Sequence, residues 1–96
     1  MTFLFLLTAG ARSEAAGTVA SLARAASSAG HRAEIFLAGD GVVHAAPLVG
    51  VAPVTLCEAD RRWRQAGTQE LDGVRQGSLR DFAQQVRQAD RVLVFR

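Results

Sequence analysis

The sequence has few of the residues that form covalent or metal cross-links. Its 96 residues include one cysteine (Cys57) and two histidines, and there is no lysine and no tyrosine. One cysteine cannot form an internal disulfide, and its spacing to the histidines matches no recognised zinc site. A lone thiol of this kind indicates a reducing compartment. We therefore expect no metal site, with Cys57 as either a buried inert thiol or an exposed reactive one.

Long hydrophobic runs are missing as well. The apolar run at residues 3–7 is only five residues long, lacks a basic flank and is closed by Thr8-Ala9-Gly10. It is too short for a signal peptide or a membrane span. The net charge of +2 is too small to indicate nucleic acid, and the arginines are spread along the chain apart from one group at 61, 62 and 64. We expect a cytoplasmic protein that binds neither a membrane nor, directly, a nucleic acid.

Short apolar runs alternate with amphipathic segments of helical length along the chain. Strands are predicted at residues 3–7, 33–37, 51–56 (or from 54, because Pro53 cannot donate in a central ladder) and 91–95, with a candidate fifth at Val74. Helices are predicted after the N-caps Ser13 and Ser78 and over residues 58–66, with a short helical turn at 42–46. The helical stripes are Val19, Leu22, Ala23 and Ala26 in the first helix, and Leu79, Phe82, Ala83 and Val86 in the last.

This alternation predicts one domain over residues 1–96 with βαβ connections. Such connections produce a mostly parallel sheet, here of four to five strands, with helices on both faces. The predicted fold is α/β, a three-layer α/β/α sandwich that is flavodoxin-like in general form. Strand order does not follow from the sequence.

Cys57 lies where reactive groups gather in such a fold. Ligands bind beyond the carboxyl ends of parallel strands, and the Leu56–Glu58 junction is one of three loops there, with residues 8–13 and 39–44. The first amides of the following helix favour a thiolate at Cys57, whereas Glu58 and Asp60 oppose it. The alternative is a small core residue, because free cysteines are often buried.

A helical projection of residues 58–66 sharpens this prediction. Ala59, Trp63 and Ala66 form the predicted buried face, which leaves Arg61 and Arg64 on the opposite side, near Cys57. We expect Arg61, Arg64, Asp40 and His44 to support the thiolate or bind a partner, with His44 as a candidate acid/base group. The loop at residues 8–13 has the placement of an anion site, but its single glycine makes a weak nucleotide motif.

The order of these segments resembles the DsrE-type sulfur-relay family, especially its TusD-like branch. The segments are 3–10, Ala29-Gly30-His31, 35–42 with Ala45, Val54-Thr-Leu-Cys57 followed by Ala59, Arg61 or Arg62 and Gly67, Gly77-Ser-Leu79, and 89–95. The chain lacks most of the TusD-like insert between the second and third strands.

The resemblance implies a sulfur carrier or sulfurtransferase subunit. In such proteins a cysteine at the position of Cys57 takes sulfane sulfur as a persulfide and passes it to a partner protein's cysteine. The resemblance therefore implies that no metal and no organic cofactor is needed. It also implies trimers or hexamers of one chain or of related chains, and donor and acceptor proteins as partners. Two alternatives stay open: a non-catalytic assembly subunit with an inert Cys57, and a small-ligand or nucleotide-binding domain that uses residues 8–13.

Overall fold

The computed structural model describes residues 1–64 and 72–96. The strands are β1 (Thr2–Leu7), β2 (Arg32–Leu37), β3 (Val54–Cys57), β4 (Val74–Gly77) and β5 (Arg91–Phe95). The helices are α1 (Ala15–Ser28), α2 (Ala45–Leu48), α3 (Glu58–Arg64) and α4 (Leu79–Gln88), and a 3₁₀ helix spans Gly39–His44 just before α2. The predicted end of the third helix, at residues 66–67, lies outside the described residues.

The five strands form one parallel sheet in the order β4-β3-β2-β1-β5. The predicted α/β fold is therefore confirmed, and the candidate strand at Val74 is β4. From β1 to β4, each new strand is added on the same side of the preceding one. The chain then returns across the sheet, and β5 pairs with the other side of β1. Because all strands run the same way, the carboxyl ends of β3 and β4 meet at one edge of the sheet.

The helices cover the two faces of the sheet unequally. On the first face, α1, the 3₁₀ helix and α2 pack on Phe5, Ile35 and their neighbours, and this cluster holds most of the buried apolar side chains. On the second face, a smaller cluster of Leu4, Phe36 and Cys57 is covered by Phe82 of α4. The rings of Phe36 and Phe82 are 4.9 Å apart. The thiol therefore belongs to the thinly covered face.

The predicted stripe of α4 is wrong in its orientation. Leu79 is 74% exposed and Val86 is also exposed, whereas Asp81, Phe82 and Gln85 are the half-buried residues. Because α4 carries the chain from β4 back to β5, it crosses the sheet obliquely, and Phe82 is its main apolar contact. Leu22 of α1 is likewise exposed, although Val19 and Ala23 of the same stripe are fully buried.

Gly30 and Ser78 end and begin their helices as predicted, whereas the N-cap of α1 is Glu14, not the predicted Ser13, and its side chain makes no capping hydrogen bond. Ser13 accepts a hydrogen bond from the Ala15 amide at 3.1 Å, and Gly30 ends α1 with a φ of +86°. Ser78 and Asp81 form a reciprocal capping box at the start of α4. Among residues 1–64 and 72–96, no helix is long and apolar enough to cross a membrane.

Candidate functional site

Cys57 lies at the floor of an open cleft at the carboxyl edge of the sheet. It is the last residue of β3, pairs in register with Gly77 of β4, and is followed directly by α3. The cleft has a volume of ≈ 520 Å³. It is lined by Cys57, Glu58, Ala59, Asp60, Arg62, Gly77, Ser78 and Leu79. Cys57 itself is only 6% exposed.

Gly77, which pairs with Cys57 and also lines the cleft, has no room for a side chain. A Cβ at this position would lie 2.8 Å from Cγ2 of Thr55 and 3.0 Å from Oδ2 of Asp81. Both distances are shorter than ordinary van der Waals contacts, so a side chain could be accommodated only by displacing its neighbours. The glycine opposite the cysteine therefore lets the end of β4 lie close to Thr55 of β3 and to Asp81 of α4.

Polar contacts made by Asp60 and Arg64 hold α3 against the 3₁₀ helix. Oδ2 of Asp60 accepts the Gly39 N–H at 2.8 Å, and its Oδ1 lies 3.3 Å from Nη1 of Arg64. Nε of Arg64 donates to Oδ1 of Asp40 at 2.8 Å. The second strand's carboxyl end is thereby connected to the first turn of α3, next to the thiol.

Asp60 lines the same cleft as the Cys57 thiol. The Gly39 N–H lowers the pKa of the Asp60 carboxyl, partial burial acts in the opposite direction, and Cys57 and Arg64 lower that pKa further. Asp60 is therefore ionised at neutral pH. From the sequence, this carboxylate is expected only to oppose the thiolate. Its spacing, three residues after the cysteine in the first turn of α3, is the signal for its place in the cleft.

The predicted buried face of α3 is wrong. Trp63 is 84% exposed and Ala59 is exposed, while Glu58, Asp60 and Arg61 are half-buried. Ala66 lies outside the described residues. The reason is that α3 follows β3 directly, so the contacts of Asp60 and Arg64 with the 3₁₀ helix set its rotation. The apolar side chains therefore point outward.

The predicted supporting residues are brought together only in part. Arg64 and Asp40 are connected to Cys57 through Asp60. Arg61 donates instead to Oε1 of Gln76 on β4, at 3.1 Å. The buried His44 lies within hydrogen-bond distance of the Ala9 and Gly10 carbonyls, with Nε2 distances of 3.1 and 3.0 Å. Since a carbonyl only accepts, Nε2 carries a proton, and His44 fixes the loop after β1.

Two backbone amides of the loop at residues 8–13 already donate hydrogen bonds to backbone carbonyls. The Thr8 amide donates to the Phe95 carbonyl at 2.9 Å, and the Ser13 amide donates to the Gly10 carbonyl at 3.0 Å. Because these two amides donate to carbonyl oxygens, they are not available to bind an anion. In the part of the chain that the structure describes, no group of three or more His, Cys, Asp or Glu residues could hold a metal.

The fold is shared with a protein of known structure. A scan against protein-family models finds no match. A search of curated proteins finds none either. Among solved structures, the ychN protein from E. coli is 24% identical, with a TM-score of 0.76 over 98% of this chain and 97% of that one. At this level of identity the likeness establishes a common fold.

Proposed function

We propose that this protein is a sulfur carrier or sulfurtransferase subunit that takes sulfane sulfur onto Cys57 as a persulfide and passes it to a partner protein's cysteine. The observation that carries the proposal is the position of the only cysteine, at the carboxyl edge of a parallel sheet and in an open cleft. The resemblance to the TusD-like branch of the DsrE-type family supports it, and so does the fold shared with the ychN protein.

The chemistry needs only thiols. Attack by the Cys57 sulfur on the outer sulfur of a donor persulfide forms one S–S bond and breaks another, and the donor leaves as a thiol. A second exchange passes the sulfur to the acceptor's cysteine. Arg64 and Asp40 support the thiol through Asp60, and we assign Arg61 and His44 to holding β4 and the loop after β1 in place.

We propose that the chain works as a trimer or hexamer, with copies of itself or with related chains. Exposed apolar side chains on β5 support this proposal. Val92 is 39% and Val94 53% exposed, and β5 is an edge strand that another chain could cover. A carrier with one unpaired thiol needs a reducing compartment, and we place its donor and acceptor proteins in the cytoplasm.

The test is mass spectrometry of the protein after incubation with a donor that carries a persulfide. We expect one added sulfur on Cys57 of the wild type, and none on Cys57→Ser, which removes the chain's only thiol with the loss of little volume. Transfer is then measured by adding an acceptor with a free cysteine. An unmodified Cys57 under excess donor would refute the proposal.

The second candidate is a non-catalytic assembly subunit, and the burial of Cys57 against Leu4 and Phe36 favours it. In that case a neutral alkylating reagent would modify Cys57 only as fast as the chain unfolds. A sulfur carrier must be modified in the folded state, at a rate independent of added stabilising solutes. This comparison separates the two candidates without a known partner.

A further inference from the structure

The apolar side of α3 faces solvent next to the Cys57 cleft. Ala59 lines the cleft, and so does Leu79 at the start of α4. Trp63 lies on the same side of α3 as Ala59, because residues four apart share one face of a helix. Trp63 is 84% and Leu79 74% exposed, the highest values among the large apolar side chains that the structure describes. We call Ala59, Trp63 and Leu79 the apolar rim.

The fold of the chain makes little use of this rim. The contacts of Asp60 and Arg64 with the 3₁₀ helix hold α3 with its apolar side outward. An exposed side chain such as Trp63 adds little to stability. Grouped apolar side chains on a surface are typical of an interaction site, and tryptophan is among the residues that contribute most to binding. The rim therefore has the composition of a protein-binding surface.

The charge beside the rim is positive. Most charged groups around the cleft form ion pairs within the protein: Glu58 with Arg62, Asp60 with Arg64, and Asp81 with Arg75. Arg80, which follows Leu79, is exposed and makes no ion pair with any residue of the ranges 1–64 and 72–96. It lies on the side of α4 opposite Phe82, the residue that packs on the sheet. A partner with a carboxylate at this position would pair with it.

The depth of the thiol limits what can reach it. Cys57 is 6% exposed, and the cleft of ≈ 520 Å³ has the size of a small-ligand pocket, about 300–1,000 Å³. It can admit a small persulfide or a short protruding segment, but not the flat face of a domain. A free cysteine persulfide has no apolar group to cover Trp63. A segment of a protein does, and it can also carry a carboxylate to Arg80.

We propose that the proteins which exchange sulfur with this chain dock on Trp63, Leu79 and Arg80. The inference rests on the proposed function and names its substrate class: a persulfide on a protruding protein segment, next to an apolar and an acidic side chain. Sγ of Cys57 bonds to the outer sulfur of that persulfide, the segment's S–S bond breaks, and the segment leaves as a thiol, which takes up the proton that Cys57 loses. The rim and Arg80 supply the binding that brings the two sulfurs together.

The test compares the rate of persulfide formation on Cys57 with different donors. One donor is a short peptide whose cysteine persulfide lies between leucine and glutamate. The others are the same peptide with glycine and lysine at those positions, and free cysteine persulfide. We expect the wild type to react about tenfold faster with the first peptide than with either of the others, which is the effect of one well-packed anchor. Equal rates with all the donors would overturn the inference.

Two variants assign this preference to the docking surface. We expect Trp63→Ala to abolish it, and Arg80→Gln to lower it about threefold and to remove its dependence on ionic strength. Leu22→Ala and Arg24→Gln are the matched controls, because both residues are exposed on α1, which packs on the first face of the sheet. They should keep the wild-type preference. A preference that survives in Trp63→Ala contradicts the assignment.

A binding measurement separates this inference from the proposed function. Trp63 is the only tryptophan of the chain, so its fluorescence reports on docking alone. With the leucine and glutamate peptide carrying serine instead of cysteine, we expect a saturable shift of the emission to shorter wavelength as the indole leaves water. If sulfur is transferred without this shift, the docking surface is wrong and the proposed function stands. If the shift occurs and no donor modifies Cys57, the surface stands and the proposed function fails.

Discussion

Replacing Gly41 by alanine tests how closely the 3₁₀ helix approaches β1. A Cβ at this position would lie 2.0 Å from the Leu7 carbonyl oxygen and 3.1 Å from Cα of Thr8. All of these atoms belong to the backbone, so no side-chain rotation can relieve the overlap. To restore a carbon contact of about 3.5 Å, the two segments must separate by roughly 1.5 Å.

The expected loss of stability follows from what that separation breaks. Overpacking alone costs about 1–3 kcal/mol. The movement also strains the bond from the Ala38 amide to the Leu7 carbonyl (3.2 Å) and the bond from the Gly39 amide to Asp60 (2.8 Å). With about 1 kcal/mol for each of the two weakened hydrogen bonds, we expect Gly41→Ala to lose about 3–5 kcal/mol of unfolding free energy.

The assay is equilibrium urea unfolding, with Gly17→Ala as the matched control. Gly17 lies in α1, and a Cβ there would meet nothing within 4 Å. The same substitution should therefore stabilise the protein by about 0.5–1 kcal/mol through helix propensity. If Gly41→Ala unfolds within about 1 kcal/mol of the wild type, the backbone contact is not as tight as the geometry requires.

Four further substitutions test the start of α4, the exposure of Trp63 and the second face of the sheet. Ser78→Ala removes the cap of α4 and should cost about 1 kcal/mol in urea unfolding. The Ser78 amide and hydroxyl lower the pKa of Asp81. The ionised Asp81 carboxylate therefore stabilises the folded protein above about pH 4, and this stabilisation is lost at lower pH. The difference in unfolding free energy between the wild type and Asp81→Asn should accordingly shrink on acidification. Trp63→Ala should change stability by less than about 0.5 kcal/mol, whereas Leu4→Ala should cost about 2–5 kcal/mol; an equal loss in both would contradict the exposed position of Trp63.

The strands could be predicted because their own residues determine them. The apolar run at the start of the chain gives β1 within one residue, and the last run gives β5 with the predicted bounds. Strands covered on both faces need apolar side chains at every position, and few other structures tolerate that pattern. The position of Cys57 at the carboxyl edge follows from the same pattern.

The rotation of α3 could not be predicted in this way. A helical projection assumes that apolar side chains face inward, and in a helix of seven residues that assumption competes with a few specific polar contacts. The partners of Asp60 and Arg64 are Gly39 and Asp40, which come from the end of another strand. Their proximity depends on β2 and β3 being neighbours, and strand order was not derivable from the sequence.

This rotation changes what an arginine near the thiol can do. Had Arg64 faced the sulfur directly, it would act by attracting a thiolate. Instead it binds Asp60 and Asp40. Arg64 therefore lowers the pKa of Asp60, which lines the cleft beside Cys57, and connects the first turn of α3 to the end of β2.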